Sequence, residues 1–285
     1  MAILTNPYSF GAAAPPADNA FTFTVNTANA GTASDVFDLP LVNDGTIDFT
    51  VDWGDSTTDT ITTYNQAEAT HTYAAGAGTY TIKLEGTIRG FKFNGSGDRL
   101  KILNISNWGD FNFTQDRTFY KCTNLDCTAT DAPAIEITYM GLLFYQCSSL
   151  TNIGGLWDMS SVLNLQSMFG LCPLFNDPNI GGWDTSSVTS MRYPFYGTNN
   201  VFDQDLGDWD ISQVTDFQGF AQSGWGGMSV ENYDALLIGW DAQSVQSGES
   251  PNFGSAKYTG GGTAAAARAN LISSDGWTIT DGGIA

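Results

Sequence analysis

Basic residues are what this chain has least of. Lys and Arg total 10 against 30 Asp and Glu, a formal net charge of -20 in 285 residues, and there is one histidine, His71. Such a field repels phosphate backbones, which excludes nucleic acid as a partner. Only 14% of residues are charged, so the surface must be mostly Thr, Ser, Asn and Gly studded with carboxylates. A single histidine far from any catalytic-looking serine closes the Ser-His-Asp and Cys-His routes. It also leaves no Cys and His spacing for a zinc site. Glycan hydrolysis needs only two carboxylates, but no pair stands out among the 30 acids. The chain therefore reads as not an enzyme, with a glycan-degrading activity as the remaining catalytic alternative.

Long hydrophobic runs are missing too. No stretch approaches the roughly 18 to 20 apolar residues of a membrane helix, which argues against membrane insertion. Residues 1–10 have neither a basic region nor an apolar one, so they are not expected to act as a secretory signal. Cysteine is sparse, and Cys122, Cys147 and Cys172 fall 25 apart. That spacing implies a ladder of small buried side chains in stacked units, with no bridge or metal required. Cys127 breaks the period.

What the chain does have is repetition. Trp157-Asp158-Met159-Ser160-Ser161-Val162, Trp183-Asp184-Thr185-Ser186-Ser187-Val188 and Trp209-Asp210-Ile211-Ser212-Gln213-Val214 recur at a spacing of 26. Upstream, Phe119, Phe144 and Phe169 fall 25 apart, and Phe195 follows 26 later. A unit this short cannot bury its apolar face alone, so copies must stack into a solenoid of four or five coils. Val162, Leu165, Met168 and Phe169 carry a helical or 3₁₀ stripe. The segments before each Trp (152–156, 179–182 and 205–208) read as brief strands pairing in parallel. The Trp residues themselves are expected between coils, and the Asp after each Trp reads as a turn cap.

The pattern W-D-x-S-x-V followed by Met-Phe and then Phe-Asn or Phe-Asp (Phe175-Asn176, Phe202-Asp203) resembles the BspA-like leucine-rich repeats of bacterial surface and phage proteins. It covers residues 91–228. The coils before residue 150 lack Trp-Asp, and the third full copy replaces Met-Phe with Phe220-Ala221, as expected near a solenoid end.

Earlier in the chain the period is 2. Phe21, Phe23 and Val25, then Ile47, Phe49 and Val51, then Tyr80, Ile82 and Leu84 alternate with polar residues, as strands of a sandwich do. Asp52-Trp53-Gly54-Asp55, His71-Thr72-Tyr73 and Gly78-Thr79-Tyr80-Thr81-Ile82 resemble the PKD type of immunoglobulin-like domain, with Ser56 where that family usually has Gly. Asp52, Asp55 and Asp59 are candidate ligands for Ca²⁺. The competing reading, which the thin ligand set favours, is that Asp52 and Asp55 cap the turn at Gly54.

After Met228 the repeat stops. Ser229 signals an N-cap, Tyr233, Leu236, Leu237 and Trp240 make an amphipathic helix, a second helix spans 263–272, and Trp277-Thr278-Ile279 adds a last strand. Together these cap the open end of the solenoid. The closing words Ala269-Asn270-Leu271-Ile272 and Gly276 to Gly283 resemble the tails of phage-encoded members of the repeat group.

The expected fold class is mainly β with short helices (α+β). Residues 1–18 form an N-terminal anchoring tail, 19–90 an Ig/PKD-like β-sandwich, 91–228 the leucine-rich-repeat-like solenoid and 229–285 a helical C-terminal cap. The resemblance implies a bacteriophage structural protein on the virion surface, in capsid, fibre or decoration, contributing to host attachment. A bacterial surface adhesin is the alternative. Expected partners are other virion proteins through residues 1–18, a host cell-surface glycan or protein, and further copies in a homo-oligomer. Aromatics that break the period, Tyr193, Tyr196 and Trp225, are the candidate ligand contacts.

Overall fold

The computed structural model describes residues 18–198, 201–224 and 226–285. Residues 1–17 of the expected anchoring tail, and Trp225, lie outside the described residues. The fold is mainly β with few short helices. Its strands are β1 (Phe21–Asn26), β2 (Val36–Asp38), β3 (Asp48–Asp52), β4 (Thr58–Ile61), β5 (Thr70–Thr72), β6 (Thr79–Thr87), β7 (Ile102–Asn107), β8 (Asn112–Phe113), β9 (Asp126–Cys127) and β10 (Ala134–Ile135). Two helices follow, α1 (Val230–Asp241) and α2 (Thr263–Ser273).

A six-stranded sheet runs in the order β4-β3-β6-β1-β7-β9. The period-2 residues Phe21, Phe23, Val25, Phe49, Val51, Ile82 and Leu84 are buried on it. β1 pairs antiparallel with β6 and with β7, and β7 then pairs in parallel with β9. The sheet therefore crosses the boundary expected at residue 90. The cause is burial: Ile102 and Ile105 of β7 join the same core as Phe23 and Val25.

Asp98 and Lys101 lock this junction. Both are fully buried, 3.3 Å apart. Asp98 accepts the amides of Thr32 (2.6 Å) and Asp38 (2.8 Å), while Lys101 Nζ donates to the carbonyls of Ala33 (2.9 Å) and Val36 (2.7 Å). Each charge thus has polar partners beyond the other, as a buried pair requires.

From Phe93 onward the chain repeats itself in space as in sequence. The amides of Phe119 and Lys121 donate to the carbonyls of Leu143 and Tyr145, those of Phe144 and Gln146 to Met168 and Gly170, those of Phe169 and Leu171 to Pro194 and Tyr196, and those of Phe195 and Gly197 to Phe220 and Gln222. The alternate amides close turns inside each copy, as Cys147 N does on Phe144 O and Cys172 N on Phe169 O. No helix forms on the Val162 to Phe169 stripe. An α-helix would keep its amides to itself, whereas here every second one is given to the next copy. That geometry needs left-handed residues four apart, and they recur as Arg117 and Lys121, Leu142 and Gln146, Ser167 and Leu171, and Tyr193 and Gly197. For non-glycine residues this conformation costs on the order of 1 kcal/mol each, which the cross-copy bonds offset.

The brief strands expected before each Trp are absent. Residues 178–182 form a 3₁₀ turn instead, and parallel pairing occurs at β7/β9, at β8/β10 and at the bridges Tyr139–Asn164 and Asn164–Ser190. The Gly-rich words there serve close approach: a Cβ on Gly155 would lie 2.8 Å from the Thr130 carbonyl. Like side chains stack along the copies. Phe119, Phe144, Phe169 and Phe195 are separated by 5.5, 5.9 and 5.9 Å, and Trp183 and Trp209 by 6.0 Å. The Sγ–H of Cys147 donates to Phe119 O and that of Cys172 to Phe144 O, each at 3.0 Å.

Ser229 caps α1 by accepting the Asn232 amide, and Tyr233, Leu236, Leu237 and Trp240 are buried on the core as their spacing predicts. Behind it, Asp281 accepts from Tyr233 Oη (2.8 Å) and Arg268 Nε (2.7 Å). The last segment makes isolated bridges at Thr280 and Ile284, not a strand at 277–279. No helix among the described residues is long and apolar enough to cross a membrane.

Candidate functional site

The repeat puts chemically different residues into equivalent columns on one face. One column reads Tyr120, Tyr145, Gly170, Tyr196 and Gln222, and its neighbour reads Arg117, Leu142, Ser167, Tyr193 and Gly219. Their register is set by the backbone: Gln146 N to Gly170 O (2.8 Å), Leu171 N to Tyr196 O (2.7 Å) and Gly197 N to Gln222 O (3.1 Å). Tyr120 and Tyr145 stack with ring centroids 5.6 Å apart. The stack then stops, because the next residue in the column is Gly170.

The Tyr145 ring lies over Gly170 instead, and beside it opens a pocket of about 360 Å³ lined by Tyr145, Ser167, Tyr193, Tyr196 and Gln222. Such a volume lies at the small end of ligand sites, which run from roughly 300 Å³ upward. Tyr145 rests against Gly170, where a Cβ would come within 2.8 Å of its ring. Tyr193 and Tyr196 meet edge to face at 5.9 Å. The Arg192 guanidinium lies 5.3 Å from the Tyr193 ring centroid and 3.6 Å from Asp216. Burial first, then the neighbouring Tyr120 and Tyr196, pushes the Tyr145 hydroxyl up from its ordinary value, so it stays a neutral donor and acceptor.

Two further pockets of about 340 Å³ follow, each sharing a wall with the one before. The first is lined by Ser148, Leu171, Pro173, Tyr196, Gly197 and Ser223, and the second by Arg99, Lys121, Thr123, Gln146, Ser148 and Leu171. Tyr196 belongs to the first two pockets, and Leu171 and Ser148 to the last two, so the three form one groove across successive copies.

Sequence reasoning named Tyr193 and Tyr196, and the structure brings them together. It missed Tyr145, Ser167 and Gln222. Tyr145 obeys the period and so reads as part of the repeat; the signal that locates it is the glycine interrupting its column.

The candidate calcium ligands are not brought into one set. Asp52 Oδ1 accepts the Gly54 amide (2.9 Å), Asp55 accepts from Thr57 N (3.0 Å) and stands 2.8 Å from His71 Nε2, and Asp59 accepts from Trp53 Nε1 (2.9 Å). Among the described residues no group of three or more His, Cys, Asp or Glu is placed to hold a metal ion. The acids that follow the repeated Trp residues are equally occupied. Asp158 accepts from Ser160, Asp184 from Ser186 and Asp210 from Ser212. Those bonds lower the pKa of Asp158 and Asp184, the direction of a turn cap and the reverse of a general acid.

Residues 112–226 and, in a second overlapping match, 138–257 match the family described as Mycoplasma protein of unknown function, DUF285. The chain belongs to this family. No curated protein and no solved structure matches it. The DUF285 span holds the whole tyrosine pocket, while β1 to β7 precede it and α2 follows it.

Proposed function

We propose that this DUF285 chain is a non-enzymatic display protein on the surface of a bacteriophage virion, and that its tyrosine groove contacts a host cell-surface glycan. The observation that carries the binding part is the tyrosine-lined pocket beside Tyr145. Amphipathic rings at Tyr145, Tyr193 and Tyr196 offer apolar contact at low entropic cost, and the Ser167 hydroxyl, the Gln222 amide and the phenol groups offer neutral hydrogen bonds. That combination suits a sugar ring, which has apolar faces and hydroxyl edges.

The architecture in this proposal is an Ig/PKD-like sandwich feeding a BspA-like leucine-rich-repeat solenoid with a helical cap. The antiparallel pairing of β1, β3 and β6 supports the first part, and the amide ladder from copy to copy supports the second. Placement on a virion rests on the resemblance of the closing residues to phage-encoded relatives. In the same proposal residues 1–18 join other virion proteins and copies assemble as a symmetric homo-oligomer, kept soluble by the acidic surface.

Imaging of intact particles carrying a tag after Ala285 tests the placement. A tag on the particle exterior is the expected result. A tag found only in a bacterial envelope transfers the groove to the second reading, a bacterial surface adhesin.

A further inference from the structure

Carboxylates outnumber basic side chains three to one in this chain, 30 against 10. A cation without an acidic partner is therefore the exception. Lys83, Arg89, Lys92, Lys101, Arg117, Arg192 and Arg268 each stand within 4.0 Å of a carboxylate oxygen. Three do not: Arg99, Lys121 and Lys257. Lys257 is exposed, but Arg99 and Lys121 are half-buried and line the same pocket, at the far end of the tyrosine groove.

Arg99 forms no hydrogen bond and no ion pair with any described residue, and its Nε is buried without a partner. An unpaired buried donor costs about 1 to 3 kcal/mol, which a protein normally avoids. The nearest acid in sequence, Asp98, is committed elsewhere, to Lys101 and to the amides of Thr32 and Asp38. Lys121 is held with its Nζ 5.1 Å from the Tyr120 ring centroid, a position that fixes the ammonium but does not neutralise it. Thr123, Gln146 and Ser148 add neutral donors, and no acid lines this pocket of about 340 Å³.

We infer that Arg99 and Lys121 form an anion subsite, taking a carboxylate, phosphate or sulfate borne by the glycan that the groove holds. This deepens the glycan reading and rests on it. The overall charge of the protein does not oppose it at physiological salt, because the Debye length is then about 8 Å and a local pair of cations dominates. A guanidinium fork beside an ammonium matches an oxyanion in both geometry and charge. The tyrosine slot, by contrast, is unsuited to a cationic guest, since Arg192 already lies over the Tyr193 face.

The test is an amide-resolved NMR titration of the full chain with three probes: D-glucuronate, inorganic phosphate, and methyl glucoside as the uncharged control. Saturable shifts at residues 99, 121, 123, 146 and 148 with an anion, and none there with methyl glucoside, are expected. A response to glucuronate alone identifies a carboxylate, and one to phosphate alone a phosphoryl group. The Arg99→Gln/Lys121→Gln variant should weaken the response about tenfold or more, the loss of one charge-assisted hydrogen bond. Lys121→Gln alone, at a more tolerant position, should show part of that loss, and raising salt should mimic it. Absence of saturable shifts with either anion, or a double variant that titrates like the parent, overturns the subsite. If the subsite titrates but Gly170→Tyr leaves host-cell binding unchanged, the glycan reading of the tyrosine slot fails and the anion subsite stands.

Discussion

Tyr145 and Tyr196 occupy the same column two copies apart, with only the hydrogen of Gly170 between them. Adjacent copies hold equivalent rings at 5.6 Å for Tyr120 and Tyr145 and at 5.9 Å for Phe144 and Phe169. Gly170 contributes no ring of its own to the column, and Tyr145 leans over it. Gly170 does not adopt the left-handed conformation that favours glycine, so Gly170→Tyr brings no backbone strain, but its Cβ would lie 2.8 Å from the Tyr145 ring, which must swing aside into the pocket. The expected outcome is a melting temperature within a few degrees of the parent, a shift of under about 1 kcal/mol. A strongly destabilised variant would show that Gly170 is needed for packing.

Asp177 is fully buried and accepts the amides of Ile153 (2.9 Å) and Asn179 (2.8 Å), tying two copies together. Asp177→Ala leaves both donors without acceptors and should cost about 2 to 4 kcal/mol. Asp184→Ala, which removes an exposed cap on Ser186, should cost under about 1 kcal/mol by comparison. Chemical denaturation of the two variants checks the contrast.

The tryptophan ladder is not uniform. Trp209 Nε1 donates to Ile180 O at 2.7 Å, whereas Trp183 Nε1 is buried with no partner. Replacement by Phe removes similar volume at both sites, but only Trp209→Phe loses a hydrogen bond, and Trp183→Phe removes an orphaned donor. Trp209→Phe should be the more destabilising by about 1 to 2 kcal/mol. Equal losses at the two sites would contradict this.

The pH dependence follows from the direction of four shifts. Burial raises Asp55 and Asp203, but hydrogen bonds from Thr57 and His71, and from Ser229 and Asn232, outweigh it and hold both below the ordinary value of 3.8; Asp158 and Asp184 are lowered by their serines. A depressed carboxylate contributes stability that is present above its unfolded value and lost as pH falls through the folded one. Asp177 and Glu249, raised by burial, have the opposite sign and gain stability as pH falls through their folded values. The larger lowered set should dominate, so melting temperature should hold above about pH 5 and drop below about pH 4. A melting temperature that rises on acidification below that point would refute the assignment.

Burial pushes the thiols of Cys127 and Cys172 up to about 12, and those of Cys122 and Cys147 upward as well. A thiol that cannot ionise is inert. All four should resist a disulfide reagent at pH 8 in the native protein and react on unfolding. Rapid native labelling of any of the three in the ladder would show that the copies are out of register.

Much of this was legible in the sequence because the period is strict. Phe119, Phe144 and Phe169, the three cysteines and the three Trp-Asp pairs stand where spacing puts them. The backbone between them was not legible. Left-handed Leu142, Leu171 and Gln146 carry no compositional mark, since their conformation is imposed by amides that bond 24 or so residues away. The alignment of β7 with β1 was hidden for a related reason: Ile102 and Ile105 read locally as repeat residues, and only the long-range partner makes them part of the first sheet. In the pocket, Tyr193 was visible because its column holds no other ring, and Tyr145, which repeats Tyr120, was not; Tyr196 was named as an interruption although it stands in the column of Tyr145.

The most direct test of the binding account is a comparison of host-cell binding by the purified parent and by Gly170→Tyr, with folding of both verified by the same thermal melt. Saturable binding by the parent and a loss of at least about tenfold in the variant are expected, the scale of one aromatic contact with its hydrogen bonds. Equal binding by the two proteins would place the contact elsewhere and contradict the claim that the tyrosine slot is the site.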